Sequence, residues 1–366
     1  LSKTSELRDR LVTNPKFRRW AAAFPLTRPI AKQRTRSLFD LCAGFVYSQI
    51  LAACLQLGLF DMLAEGPLHA DALSARLGLS IPATERLLAA AAALDLVERR
   101  GAAGFGLGSL GAAVVGNDAV AAMVAHHGML YADLADPVAL LRGESTQKSL
   151  NRYWAYAAAD APQAASSAEV GQYTSLMAAS QPLVADEVLD AYNLRRHRLL
   201  LDIGGGSGLF AQKAAERAPD LRVMVFDLPA VAAEATTRFA RAGIAARALA
   251  HGGSFLTDPL PSGADLMSLV RVIHDHDDDS AMTILRAARR ALPVGGRLLL
   301  AEPMADTPGA LPMGDAYFGM YLLAMGQGRP RSAATLSAML RQAGFARVRC
   351  LKTHTPLLVS ALLAQA

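Results

Sequence analysis

The sequence predicts an α/β protein in which a helical, winged-helix module precedes a mostly parallel sheet covered by helices on both faces. Three observations carry this. Between residues 199 and 303, runs of branched aliphatic side chains alternate with helical segments, the pattern of strands buried on both faces. Residues 37–116 read instead as helix, short helix, longer helix and hairpin. The length of 366 residues exceeds one ordinary domain and leads us to expect two.

Apolar residues make up 52% of the chain and charged residues 19%, enough for a core and too apolar for global disorder. The three cysteines, Cys42, Cys54 and Cys350, form no CxxC pair, which excludes a disulfide scaffold and a cysteine zinc site and fits a reducing cytoplasm. The net charge of +5 is uneven: residues 1–36 hold ten Lys/Arg against Glu6 and Asp9, leaving the rest of the chain acidic on balance. A basic arm over 1–36 is therefore expected, and the body offers no charge signal for nucleic acid. The first thirty residues lack an apolar core segment and a small-residue cleavage site, so no signal peptide is expected. Within the arm Phe17, Trp20 and Phe24 share one helical face among Lys16, Arg18, Arg19 and Arg28. Such a face suits either an anionic membrane surface or a partner subunit.

Taken in order, the first helix is expected over 38–64. The run between Asp40 and Asp61 is uncharged and long enough to span a membrane, but Ser48, Gln49, Gln56 and Gly58 favour a core helix. A short helix follows over 69–77, stopped by Gly78. Pro82 opens a third, and Glu98 to Gly108 reads as two short strands around a glycine turn. The third helix offers only Glu85 and Arg86 before Leu, Ala and Val, too few groups to read base edges, so no nucleic acid is expected. Residues 117–190 continue as helices carrying Tyr131, Trp154 and Met177 in a stripe that suits ordinary core or an irregular apolar pocket. The domains expected are the arm 1–36, a helical domain 37–190 and a sheet domain 191–366. In the last, strands are expected at 199–205, 221–228, 264–273 and 296–303, with helices at 207–218, 230–242 and 278–292. Helix 332–343 then precedes a closing pair of strands at 345–353 and 357–364.

Asp202-Ile-Gly204-Gly205-Gly206-Ser207-Gly208 falls at the first strand-to-helix turn. Glycines there let a ligand approach the backbone and leave helix N-terminal N–H groups free. The dinucleotide fingerprint is GxGxxG, whereas here the glycines run 204, 206, 208 behind an acid, with Asp227 closing the next strand. Asp227 could accept two ribose hydroxyls in either kind of fold. Read from the residues alone, His274-Asp275-His276-Asp277-Asp278-Asp279 could supply a general base, an HxH metal site or merely the acidic start of a helix.

The acid-then-GxGxG pattern resembles that of class I S-adenosylmethionine (SAM) methyltransferases. Together LLLDIGGGSG, VFDLP, HGGSF, RVIHDHDDD and LPVGGRLLLAEP are similar to the ordered motifs of small-molecule O-methyltransferases that join a winged-helix dimerisation domain to a SAM domain. The resemblance runs from about residue 38 to the C-terminus. It implies a Rossmann-like, mostly parallel seven-stranded class I sheet, a homodimer, and domain 37–190 serving as dimerisation and substrate-lid domain. It implies SAM held by Asp202, Gly204, Gly206, Gly208, Asp227, Ser254 and Phe255, the last two at the adenine, with serine where the family often has aspartate. It further implies His274 as general base, no metal, and Glu302 orienting the imidazole; His276 stands where the family's H-D-W-x-D pattern has tryptophan. The family's plant enzymes have a second glutamate near a G-x-x-R-[ST] element; that position is Pro330 here, so the histidine is expected to be held from one side.

The runs RRWAAAFPLTRPIAKQR and YTSLMAASQPLVADEVLDAY are most similar to the carotenoid 1-hydroxy O-methyltransferases of photosynthetic bacteria, which act on hydroxyneurosporene and demethylspheroidene. That likeness implies a tertiary hydroxyl at the end of a long polyene as substrate. A cytoplasmic enzyme is expected, with 1–36 either at the surface of the photosynthetic inner membrane or packed against the partner subunit. Phe318 and Met325, in the apolar insertion 313–325, would then line a tunnel with Tyr131, Trp154 and Met177, though a buried helix would look the same. The alternatives are a phenolic or polyketide hydroxyl as acceptor and, in a different class, a winged-helix DNA-binding regulator with a degenerate SAM domain.

Overall fold

Left-handed glycines punctuate the N-terminal helices. In the computed structural model, which describes residues 3–146, 149–151 and 181–366, Gly58 and Gly78 adopt φ of +66° and +65° and end the helices before them. The first unit, Leu1–Asn117, thus reads α1 (Lys3–Thr13), α2 (Pro15–Ala23), α3 (Arg28–Gln56), α4 (Leu59–Ala64), α5 (Ala70–Leu77) and α6 (Ile81–Ala93). The hairpin β1 (Val97–Arg99) and β2 (Phe105–Leu107) follows, paired antiparallel. Asn14 caps α2 by accepting the Lys16 and Phe17 N–H groups, and Ser80 caps α6 by accepting that of Ala83. The helix expected over 38–64 is therefore two helices, and α3 starts at Arg28 and runs through the boundary expected at 36/37. The winged-helix order stands, and its core gathers Cys54, Leu59, Phe60, Leu73, Leu88, Val97 and Phe105. Of α3 only Ala52 and Cys54 are buried, while Leu38, Phe39, Leu41 and Phe45 are exposed. By length and composition alone this helix could cross a membrane.

The second unit, Asp118–Ala366, takes in helices Asp118–Asp133 and Pro137–Leu141, so the compact division falls at 117/118 and not at the 190/191 boundary expected. Its sheet contains β3 (Leu199–Ile203), β4 (Arg222–Asp227), β5 (Ala248–Gly252), β6 (Leu266–Val270), β7 (Arg297–Glu302), β8 (Ala346–Leu351) and β9 (Ser360–Gln365). The order is β5-β4-β3-β6-β7-β9-β8, all parallel except β9, which runs antiparallel to both neighbours. This is the seven-stranded class I methyltransferase sheet. Strand β5 escaped the sequence reading because Ala-Leu-Ala-His-Gly is short, lacks β-branched residues and pairs on one side only.

Alternation sorts the strands' side chains between two cores. Leu201, Ile203, Met267, Leu269 and Leu300 meet helices Asp278–Ala291 and Ala333–Gln342 on one face. On the other, Leu200, Val223, Val225, Leu266 and Leu299 meet helices Leu209–Arg217 and Pro229–Arg241. The strand order reverses between β3 and β6, which opens the crevice at their carboxyl ends where ligands bind in such sheets.

Phe239 is 1% exposed and lies directly beneath the glycine turn after β3. Phe239→Ala should cost about 3–5 kcal/mol of unfolding free energy by urea titration; a change under ~1 kcal/mol would show that this core does not carry the turn.

Candidate active site

Gly204, Gly206 and Gly208 carry the chain from β3 into helix Leu209–Arg217 with φ of +67°, +58° and +80°. Side chains are excluded there by space as well as by backbone: a Cβ on Gly204 would lie 2.8 Å from Val272 Cγ2, and one on Gly208 2.9 Å from the Phe239 ring. Arg238, which the sequence reading overlooked, pins the turn by donating from Nε to the Ser207 carbonyl at 2.8 Å.

Two acids flank this turn, Asp202 buried and Asp227 half-buried. The β3–β6 register sets Asp202 opposite Ser268, whose hydroxyl donates to Asp202 Oδ1 at 2.6 Å. Asp202 Oδ2 is buried with no hydrogen-bond partner among the described residues. Burial drives the Asp202 pKa up to about 7 against the opposing Ser268 hydrogen bond. Asp227, at the end of β4, accepts the Gly206 N–H at 2.8 Å on one oxygen and the Leu228 N–H at 2.7 Å on the other. Burial raises its pKa too, and each oxygen keeps a second acceptor direction. Phe255 closes the third side, since a Cβ on Gly204 would sit 3.5 Å from its ring. Ser254 beside it donates its backbone N–H to Asp258 at 2.8 Å. A bare backbone cradle, an acid able to accept a diol and an aromatic ring together fit an adenosyl ligand.

The second half of the site follows β6. Arg271 takes φ +58°, a strained setting for a side-chain-bearing residue, secured by its N–H donating to the Ala301 carbonyl at 2.8 Å. The chain then makes the single 3₁₀ turn Ile273–Asp275. His274, 5% exposed, hydrogen-bonds through Nδ1 to Glu302 Oε2. The other Glu302 oxygen accepts the Val272 and Ile273 N–H groups at 3.1 and 2.7 Å, so one carboxylate orients both the ring and the backbone that carries it. Asp275 Oδ1 lies 3.1 Å from Nε2. The one-sided hold expected from Pro330 is thus corrected: the second carboxylate comes from the adjacent residue, because the tight turn folds its side chain back onto the ring. Burial pushes the His274 pKa down, but Asp275 and Glu302 outweigh it and the net shift is upward. Asp275 is raised, chiefly by burial.

The acidic run divides its work. Asp277 caps helix Asp278–Ala291 by accepting the Ser280 N–H at 2.8 Å, and Asp278 and Asp279 open it. His276 packs edge-on against Phe255 with ring centroids 5.5 Å apart, and burial first, then the nearby His274, lower its pKa to about 4, leaving it a neutral aromatic ring. The histidines of the HxH pair thus have different neighbours, carboxylates for one and an aromatic ring for the other.

An aromatic wall stands beside the imidazole. Phe318 meets His274 edge-on at 5.8 Å, Tyr317 meets Phe318 at 5.2 Å, and Tyr317 stacks on Tyr321 at 5.9 Å. The two phenols hydrogen-bond to His127 and His126 at 2.9 and 2.6 Å. Burial lowers both histidines, His126 to about 4, and raises Tyr317 to about 12, so the wall is uncharged. Of the substrate candidates, Phe318 lies at the imidazole and Tyr131 lies near His127, its ring 6.0 Å away. Met325 is buried among Leu130, Leu140 and Leu322, a core position. Trp154 and Met177 lie outside the described residues. The histidine–tyrosine pairs left no signal in the sequence, because their partners are more than 190 residues apart or at that limit.

Comparison with known proteins shows the family and the fold. Residues 131–346 match the O-methyltransferase domain family and residues 39–125 the O-methyltransferase dimerisation domain family. The demethylspheroidene O-methyltransferase of Cereibacter sphaeroides is 42% identical over 98% of this chain and 94% of its own length. The acetylserotonin O-methyltransferase of Mus musculus is 34% identical, covering 88% of this chain and 86% of its own. Human N-acetylserotonin methyltransferase, solved in complex with SAM, superposes with a TM-score of 0.74 at 28% identity, over 91% of this chain and 97% of that one.

Two outcomes are expected. Gly208→Ala should weaken SAM binding by calorimetry by about tenfold or more, roughly 1.4 kcal/mol, and an unchanged affinity would contradict the tight cradle. Because the folded protein raises the His274 pKa above the ordinary 6.5, the protonated ring contributes stability below that value and loses it as pH climbs through the folded value. Glu302→Gln should lower the His274 midpoint in an NMR titration, and no downward movement would remove Glu302 as a cause of the shift.

Proposed function

We propose that this chain, which belongs to the O-methyltransferase family, methylates the tertiary hydroxyl of a 1-hydroxy-carotenoid with His274 as general base. It is a SAM-dependent O-methyltransferase of class I fold, and its dimerisation domain makes it a homodimer. The hydrogen-bonded pair His274–Glu302, set beside the glycine cradle at the carboxyl edge of the sheet, is the observation that carries the reading of the base.

When bound, SAM supplies a methyl group already activated on a sulfonium. The Gly204–Gly208 turn, Asp227 and Phe255 would hold it, with Asp227 accepting from the ribose hydroxyls on its two unused directions and Phe255 against the adenine. The remaining work falls to the imidazole. With Nδ1–H donated to Glu302, Nε2 is the nitrogen left to take a proton, and the acceptor hydroxyl replaces Asp275 there. An aliphatic alcohol is too weak an acid to ionise beforehand, so Nε2 would take its proton as the oxygen gains the methyl group and the S–CH3 bond breaks to leave a neutral thioether, and Glu302 would stabilise the resulting imidazolium. Alignment of the reacting groups can supply roughly 7–11 kcal/mol at the limit.

Two observations support the polyene acceptor. The likeness to demethylspheroidene O-methyltransferase extends over 98% of the chain. The wall beside His274 is aromatic and uncharged, its phenol groups tied to imidazoles, which suits a conjugated hydrocarbon better than a polar ring. The N-terminal arm supports a membrane-surface location: Phe17 packs tilted on Trp20 and Trp20 stacks on Phe24, with centroids 5.6 and 5.0 Å apart, and Trp20 and Phe24 are exposed among basic side chains.

Incubation with labelled SAM and a panel of hydroxylated carotenoids and phenols, read by mass spectrometry, should label the 1-hydroxy-carotenoids; labelling of phenols alone would favour a phenolic acceptor. His274→Ala should lose about 10²–10⁴ in turnover with SAM affinity retained, and full turnover would overturn the base. The rate should rise with pH through a midpoint above 6.5, since His274 must be neutral to act and its pKa is raised. Replacing Trp20 and Phe24 by serine should weaken sedimentation with vesicles containing anionic lipid, and unchanged partitioning would defeat the surface reading.

A further inference from the structure

We propose that Arg331 is a positioning residue for the base, holding through the backbone the imidazole that this family's second glutamate would hold through the ring. Arg331 is 3% exposed although it carries a full charge. Its Nη1 donates to the Ile273 carbonyl and its Nη2 to the His276 carbonyl, both at 2.8 Å. Two residues earlier the Arg329 N–H donates to the His274 carbonyl at 2.9 Å. Segment 328–331 therefore satisfies the carbonyls of residues 273, 274 and 276, all those of the turn on either side of the imidazole save that of Asp275.

The approach is too close for side chains at its start. Gly328 takes φ +81°, and a Cβ there would lie 2.2 Å from the His274 carbonyl oxygen. On its other side the segment is tied to the chain beyond β7: the Ala305 N–H donates to the Arg331 carbonyl at 3.1 Å, and Ala305 bridges Ser332 in parallel. Glu302 lies at the end of that same strand. Arg331 thus links the backbone of the imidazole to the strand of its carboxylate, and so sets the distance between them.

Its charge is balanced at the protein surface. Asp278 Oδ1 accepts from Arg331 Nε and Nη2 at 2.9 and 2.7 Å, and the same carboxylate accepts from Arg329. These hydrogen bonds, from Arg329 first and then Arg331, hold the Asp278 pKa down to about 2, so the pair persists across the working pH range. A rigid guanidinium suits this role because its donors diverge in one plane toward two carbonyls and a carboxylate, which an ammonium cannot match. Pro330, standing where the family has glutamate, costs no hydrogen bond within the segment, since the donors come from residues 329 and 331.

The inference rests on His274 being the base, and the experiment separates the two. Arg331→Met and Arg331→Lys are compared with His274→Ala for turnover, SAM affinity by calorimetry, and the His274 midpoint by NMR without substrate. The groups facing the ring are Asp275, Glu302, Arg271 and His276, and loosening the Glu302 contact removes an upward influence. Arg331→Met should therefore lower turnover by about 10- to 100-fold, shift the His274 midpoint and the acid limb of the rate profile downward, and leave SAM affinity within about twofold. Arg331→Lys should recover part of both. Should Arg331→Met not fold, Asp278→Asn, which leaves the guanidinium in place without its counter-charge, should show a smaller shift in the same direction. Turnover and midpoint unchanged in Arg331→Lys and Asp278→Asn, or loss of turnover explained by lost SAM affinity alone, would overturn the positioning role. A fully active His274→Ala would instead overturn the base itself.

Discussion

The Glu302 carboxylate is the constraint from which the reactive half of the site follows. One oxygen takes His274 Nδ1 and the other takes two backbone N–H groups of the turn that bears it, so ring and main chain are oriented by a single buried charge. Removing one partner of such a pair leaves the other uncompensated in a low dielectric, at about 3–5 kcal/mol. The arrangement is tolerable because nearly every polar direction is used: Asp275 lies at the second nitrogen and Arg331 satisfies neighbouring carbonyls.

The cofactor half rests on a different principle. There the chain excludes side chains so that a ligand can reach the backbone, and the cost appears as left-handed glycines packed hard against Val272 and Phe239. The halves share a neighbour. Val272, which fills the space beside Gly204, donates its N–H to Glu302, so the glycine turn and the His274 imidazole are positioned by adjacent atoms of one turn. The strained φ of Arg271 at the start of that turn is held by its hydrogen bond to β7, the strand that also carries Glu302.

The N-terminal unit follows simpler physics. Glycine stops, a serine cap and the mostly apolar helix α6 build the winged-helix core of this unit. The long helix Arg28–Gln56 leaves large apolar side chains uncovered within one chain, consistent with a dimerisation domain that buries surface against a second copy.

Local properties of the sequence determined the order of helices and strands, the glycine turn with its acids Asp202 and Asp227, and the placement of His274 and Glu302 at strand ends, since periodicity, turn chemistry and strand punctuation depend on neighbouring residues. They failed where information was short or shared: Ala248–Gly252 is too short and too poor in β-branched residues to read as a strand, and the chain divides at 117 because packing, not composition, sets the boundary. Only the tertiary structure decided how the His274 imidazole is held. Glu302 lies 28 residues from His274 and Arg331 lies 58 from Ile273, and no local pattern records which distant donor a carbonyl will meet. Asp275 is next in sequence, yet its role depends on a 3₁₀ turn that the same six-residue acidic run conceals by also starting a helix.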